Sequence, residues 1–240
     1  MIDLAVLDIA GTTVEEHGAV YVALEQAVRA AGGQPGAGDI QRWMGADKRE
    51  AIAALLALPE TDASLVGGVG RSAADASLVE ATFADFRARL DHLYRERPPA
   101  PLPGVPEALA RLREAGVKVA LTTGFDRDVT SGLLKHLGWD EGVLDAMVCV
   151  DDVAAGRPAP YMIFRAMELT GVRSTERVLV AGDTTRDLEA GTNAGAGYVV
   201  GVLTGGLDAV ALGRTRHTHL LPGVADLPSL LGLDRPAHPK

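Results

Sequence analysis

Along this chain, short and largely apolar runs alternate with longer stretches in which apolar residues recur at helical spacing. The short runs are Leu4–Leu7, Val117–Leu121, Ala146–Val150, Val178–Ala181 and Tyr198–Val202. Runs of this length, rich in β-branched residues, predict strands buried on both faces, as in a parallel sheet. Between them, "VPEALARLREAG", "DVTSGLLKHLG" and "PYMIFRAMELTG" carry a helical period and end at Gly116, Gly138 and Gly171, as helices often do. Strand alternating with helix predicts an α/β fold with a doubly wound parallel sheet, whose active site lies at the carboxyl ends of the strands. Asp8, Thr123 and Asp183 fall at or just past such ends.

Residues 18–96 break this rhythm. "AVYVALEQAVRAAG", "ADKREAIAALLAL" and "ASLVEATFADFRARLDHLYRER" are helical by period, with no strand-like run between them. They predict an all-helical domain inserted after the first strand, with 1–17 and 97–240 forming the core. The proline-rich "RPPAPLPGVP", Arg97 to Pro106, suits a return hinge. "DASLV" occurs at Asp62 and again at Asp75, too short and isolated for a repeat architecture.

Composition narrows the class. No apolar run approaches the roughly 18 residues needed to cross a membrane. "MIDLAVLD" lacks the basic stretch and cleavage site of a signal peptide. A single cysteine, Cys149, rules out an intramolecular disulfide and fits a reducing cytoplasm. A formal charge of −9 argues against a general nucleic-acid binder, and 4% aromatics leave few platforms for bases. The expectation is a cytoplasmic α/β protein with neither a nucleic-acid nor a membrane partner.

Four segments then stand out in order: "DIAGTT" after the first strand, "LTTG" after the second, an arginine in "AAGRPAP", and "GDTTRD" after the fourth. Together they resemble the motifs of the haloacid dehalogenase-like (HAD) hydrolases, whose Rossmann-like core carries an inserted cap. Beside that resemblance stands a physical reading. An aspartate at a strand terminus, Asp8, can attack phosphorus and form an aspartyl-phosphate, splitting one hard step into two. Attack by an anion on an anion needs a hard cation such as Mg²⁺. Its candidate ligands are the carboxylates of Asp8 and Asp183 and the backbone carbonyl of Ala10, with Asp187 supporting them by hydrogen bonding. Gly11, Thr12, Thr123 and Gly124 offer amides and hydroxyls for phosphoryl oxygens. Arg157 supplies the positive charge that most relatives provide with lysine.

Ala10 is the anomaly. HAD phosphatases typically carry an aspartate there to protonate the leaving group, a contribution of roughly 10²–10⁴-fold. The branch sharing "DxAGTT" and the arginine is phosphonoacetaldehyde hydrolase (phosphonatase), which has a lysine in its cap, in a segment beginning "MG". Here "MGADK" runs from Met44 to Lys48, so Lys48 is similar to that lysine, with Met44 beside the substrate. Cleaving a carbon–phosphorus bond leaves carbanion character that an iminium absorbs, so a lysine condensed with the aldehyde replaces the missing acid. Such a lysine must be partly neutral, through burial or nearby positive charge; Arg49 and Asp47 flank it with opposite signs.

Two positions depart from the phosphonatase pattern. Ala51 stands where a histidine is expected and Phe125 where a tyrosine is expected, which removes polar groups from the aldehyde end. A phosphatase of a small phosphate ester or anhydride therefore remains an alternative, and so does a non-catalytic binding protein that keeps the fold. The resemblance also implies a homodimer through the cap. Other features carry less. "RTRHTH", Arg214 to His219, offers too few ligands for a metal and lies where a last strand or turn is expected. "GGVG" at Gly67 follows no strand and reads as a loop, Cys149 as a buried strand residue, and His92 and His136 as helix-surface residues.

Overall fold

The computed structural model describes residues 1–58 and 75–233. "GGVG" at Gly67 and the first "DASLV" at Asp62 lie outside them. In chain order the elements are β1 (Leu4–Asp8), β2 (Val14–Glu15), α1 (Ala19–Ala30), α2 (Ala37–Arg42), α3 (Lys48–Leu56), α4 (Ala76–Glu96) and β3 (Ala100–Pro101). Then follow α5 (Val105–Glu114), β4 (Lys118–Thr123), α6 (Arg127–Leu137), β5 (Ala146–Cys149), α7 (Tyr161–Thr170) and β6 (Val178–Gly182). The chain closes with α8 (Thr185–Ala194), β7 (Tyr198–Val202), α9 (Ala209–Gly213), β8 (His219–Leu221) and α10 (Leu227–Leu230).

Two compact units result, Met1–Glu15 with Ala100–Lys240, and Glu16–Pro99. These boundaries lie at 15/16 and 99/100 rather than 17/18 and 96/97. The cause is a short antiparallel ladder in which Val14 faces Pro101 and Glu15 faces Ala100. It ties the outgoing chain to the returning one inside the core unit. Two-residue strands, one ending in proline, leave no periodicity to read.

The core unit is a six-stranded sheet in the order β5-β4-β1-β6-β7-β8, parallel at every pairing. From β1 the chain builds outward through β4 and β5, then returns to build β6, β7 and β8 on the other side. The strand order therefore reverses at β1, which opens a crevice at its carboxyl end. All five β1 residues are buried. On one face, Leu4, Val6, Ala120, Val148, Val178 and Val180 pack against Met162, Ile163, Ala166 and Met167 of α7 and Ala190 and Ala194 of α8. α6, α7 and α8 end at glycines in the left-handed conformation, Gly138, Gly171 and Gly195, which a side chain would strain. The sixth strand, β8, begins at His219 and is only three residues long and half-buried, too short to stand out as an apolar run.

In the second unit every regular element among the described residues is a helix. α1 buries Ala23, Leu24, Ala27 and Val28, and α4, its neighbour, buries Val79, Phe83, Phe86 and Leu90. α2 was not legible in the sequence because its six residues bury only Ile40. Among the described residues, no helix is long and apolar enough to cross a membrane.

Candidate active site

The site starts from the carboxyl end of β1. Asp8 is paired in register with Thr122 of β4, and Asp183 follows the last residue of the adjoining β6. After Asp8 the chain turns at once: the Ile9 carbonyl accepts from the amides of Thr12, Thr13 and Val14. The Thr13 hydroxyl donates to the Asp8 carbonyl oxygen at 2.9 Å. Gly11 sits at φ +78°, and a Cβ there would come within 2.8 Å of Asp183 Oδ2. Glycine is thus required twice over, by conformation and by the approach of the carboxylate. Gly205 meets Asp183 from another loop, where a Cβ would overlap the carboxylate. The neighbouring Thr204 hydroxyl donates to the Gly11 carbonyl at 2.6 Å.

Charge converges on this point. Arg157, 4% exposed, directs Nη1 to Asp8 Oδ1 at 2.6 Å and to Asp187 Oδ1 at 2.9 Å. Its Nη2 donates to Thr122 Oγ1 at 2.7 Å. The other Asp187 oxygen accepts from the Thr184 amide and hydroxyl, closing a capping box at the start of α8. The Thr12 hydroxyl donates to Asp183 Oδ1 at 2.8 Å.

Burial pushes the Asp8 carboxyl up to about 6; the Arg157 guanidinium pulls it back in part, and the Asp187 carboxylate adds to the rise. Asp183 is raised well above the ordinary carboxylate range, first by burial, then by Asp8 and Asp187. For Arg157, burial works against the charge, but Asp187 and Asp8 outweigh it and raise the pKa. Three buried carboxylates therefore face one guanidinium, an excess of negative charge that a cation would relieve.

Among the described residues, no group of three or more His, Cys, Asp or Glu side chains is arranged to hold a metal. The donor set here is different, namely two carboxylates, Asp8 and Asp183, with the Ala10 carbonyl as a third candidate. Such a sparse oxygen set suits Mg²⁺, which keeps several waters and takes one or two carboxylates. Asp187 belongs to the Arg157 ion pair and to the helix cap.

The sequence profile of the haloacid dehalogenase-like hydrolases matches residues 2–195. The chain belongs to that family. It is 40% identical over 118 residues to a phosphonoacetaldehyde hydrolase of Bacillus cereus, an alignment spanning 49% of this chain and 43% of that protein. The chain thus spans less than half the length of the curated relatives it matches. Solved structures match almost throughout. A phosphonoacetaldehyde hydrolase-like protein from Oleispira antarctica aligns at a TM-score of 0.82 and 21% identity, covering 96% of this chain and 91% of that one. A hydrolase from Pseudomonas syringae aligns at 0.79 and 24% identity, covering 98% and 100%. At such identities these two establish the fold.

In this hydrolase Asp8, Arg157, Asp183, Asp187, Thr12 and Gly11 come together as described. Thr123 closes β4, and its hydroxyl oxygen accepts from the Phe125 amide at 3.1 Å, which leaves its own proton to give. Gly124, buried, connects the two. Met44 and Lys48 belong to the helical unit. Lys48 is the first residue of α3 and only 5% exposed, with Nζ donating to the Ala46 carbonyl at 2.9 Å. Its neighbours are engaged elsewhere: Asp47 caps α3 through the Arg49 and Glu50 amides, and Arg49 reaches Glu80 and lies over the Phe83 ring.

Beyond Thr204 and Gly205, four further contributors escape sequence reasoning. Thr122 and Thr184 lie inside "LTTG" and "GDTTRD", where strand alternation and the T-x-x-D capping pattern are signals for them. Arg186 and Asn193 of α8 donate to the carbonyls of Arg157 and Pro158, at 3.3 and 2.9 Å. No sequence signal announces a side chain that grips a distant carbonyl. The remaining features are structural. Cys149 is a fully buried strand residue whose thiol burial pushes up to about 11. His92 and His136 are exposed on helices, and His219 stacks on Tyr198.

Proposed function

We propose that this protein is a Mg²⁺-dependent hydrolase that cleaves the carbon–phosphorus bond of phosphonoacetaldehyde, or a close analogue, to phosphate and an aldehyde. One observation carries the reading: Ala10 stands where an acid would assist the leaving group, while Lys48 is buried at the head of a helix. The partial similarity to phosphonoacetaldehyde hydrolases supports it. When bound, the cation would be held by Asp8, Asp183 and the Ala10 carbonyl, and would neutralise charge between nucleophile and phosphoryl group.

The chain's own residues do the rest. The neutral amine of Lys48 adds to the substrate aldehyde, and the adduct takes up a proton from solvent and loses water, giving an iminium. Lys48, buried at the head of α3, presents that amine out of bulk water. Asp8 attacks phosphorus, the C–P bond breaks, and its electron pair flows into the iminium to form an enamine. Thr123 and the amides near Gly11 and Gly124 hold the phosphoryl oxygens, and Arg157 holds the Asp8 carboxylate in line. Thr12, whose hydroxyl and amide go to Asp183 and the Ile9 carbonyl, holds the metal-ligand carboxylate instead. Water cleaves the aspartyl-phosphate, releasing phosphate. The enamine takes up a proton at carbon, and hydrolysis of the resulting iminium returns Lys48, the aldehyde and a proton.

A second reading, a phosphatase of an activated phosphate ester or anhydride, is favoured by Ala51 and Phe125. Both are buried and apolar where the aldehyde chemistry of relatives uses polar side chains. The deciding experiment measures phosphate and acetaldehyde release from phosphonoacetaldehyde with Mg²⁺, for the wild type beside Lys48→Arg. Equal amounts of both products, lost with Lys48→Arg, support C–P cleavage. No release, with turnover of acetyl phosphate intact in both proteins, establishes the phosphatase instead.

A further inference from the structure

The Arg157 side chain is held at both ends, but only one end is explained by charge. Nη1 satisfies two carboxylates, Asp8 and Asp187. Nη2 goes to a neutral partner, the hydroxyl of Thr122, which is itself buried and 4% exposed. The backbone behind is also fixed, because Arg186 and Asn193 of α8 grip the carbonyls of Arg157 and Pro158. With the backbone held, rotation about the Nε–Cζ bond would still interchange the two terminal nitrogens. Two carboxylates on Nη1 anchor one arm of the fork, and an acceptor on Nη2 anchors the other.

We propose that Thr122 is a positioning residue that anchors the second arm of the Arg157 guanidinium against rotation and so makes this site require arginine. A lysine ammonium could meet Asp8 and Asp187 as a point charge. It has no planar fork with which to bridge those carboxylates and the Thr122 hydroxyl together. Thr122 lies opposite Asp8 in the strand register, so the guanidinium it holds is presented along the Asp8 carboxylate. The catalytic consequence rests on the reading of Asp8 as the phosphoryl acceptor, and the orientation itself does not.

The test joins a spectroscopic and a kinetic arm on the full chain, using Thr122→Ser, Thr122→Val, Arg157→Lys and the Thr122→Val/Arg157→Lys double variant. With ¹⁵N-arginine labelling, the Arg157 side-chain signals are assigned by their loss in Arg157→Lys. Wild type and Thr122→Ser are expected to show separate Nη1 and Nη2 signals, and Thr122→Val an averaged or broadened one. In Mg²⁺-dependent acetyl phosphate hydrolysis, Thr122→Val is expected to lose about 10- to 100-fold in kcat, the weight of one hydrogen bond to a charged group. Thr122→Ser should recover it. Introduced into Arg157→Lys, the same change should cost less than about threefold.

Separate signals in Thr122→Val, or an equal kinetic loss in the Arg157→Lys background, would overturn the proposal and make Thr122 a packing residue. Absence of turnover even in the wild type would count against the hydrolytic reading alone, since the nitrogen signals still decide the orientation.

Discussion

The surface helices of the helical unit and the buried site of the core unit use the same charged residues in opposite ways. In the helical unit they pair along exposed helix faces: Glu25 with Arg29, at 43% and 44% side-chain exposure, is representative, and Asp85–Arg89 and Asp91–Arg95 repeat the spacing. In the core unit Arg157 and Asp8 pair at 3% and 9%, with Asp183 and Asp187 buried beside them. Water screens the first kind, and each such pair contributes little. Burial leaves the second kind unscreened, so the carboxyls shift and hold charge ready for a cation or a phosphoryl group. Burial, not charge count, separates a site from a surface. By that measure the helical unit has, among its described residues, one basic residue of the core's kind, Lys48.

The comparison can be broken most severely at Asp8. Asp8→Asn keeps the shape and removes the nucleophile, so phosphate release should fall by at least about 10⁴-fold. It should also relieve the charge excess, so the metal-free variant should melt higher than the metal-free wild type. A variant that loses activity and stability together would mean that Asp8 is chiefly structural.

A smaller effect sharpens the electrostatics. The Asp8 carboxyl lies at about 6 in the fold against an ordinary 3.8, so the metal-free folded state binds more protons than the unfolded state between those values. Stability therefore falls as pH rises through this window. Lowering the pH from about 8 to about 5 should raise the melting temperature of the metal-free protein by a few degrees. Mg²⁺ at about 100 times its dissociation constant should add about 2.7 kcal/mol near pH 8, and flatten the pH dependence. Asp183→Asn should abolish the Mg²⁺ response. Thermal scans across pH, with and without Mg²⁺, check all three outcomes.

The smallest effect belongs to the helical surface. Glu80→Ala breaks the Glu80–Arg49 pair, whose side chains are 58% and 39% exposed, and should change stability by less than about 1 kcal/mol. Urea unfolding at low and high salt checks it, and a larger loss would show that exposed charges support this unit after all.

How much of this was legible in the sequence follows the same division. The five apolar runs became β1, β4, β5, β6 and β7, because buried parallel strands leave continuous hydrophobic segments. Asp8, Thr123 and Asp183 were legible because a strand end followed by a polar turn is a local pattern. What escaped was either short or distant. β2, β3, β8 and α2 are too brief for periodicity. The grips of Arg186 and Asn193 on the Arg157 segment, of Thr204 on the Gly11 carbonyl, and the approach of Gly205 to Asp183, join residues far apart in the chain. Lys48 was singled out by family resemblance, and nothing in its local spacing distinguishes it from a solvated lysine.

The claim that Lys48 does the leaving group's work is tested most directly by borohydride reduction of the protein in the presence of phosphonoacetaldehyde, followed by peptide mass mapping. An iminium on Lys48 takes hydride and becomes a stable secondary amine, so a substrate-dependent adduct on the peptide containing Lys48, with matching loss of activity, is the expected result. Full phosphate release with no adduct there, or an adduct on another lysine, would contradict it.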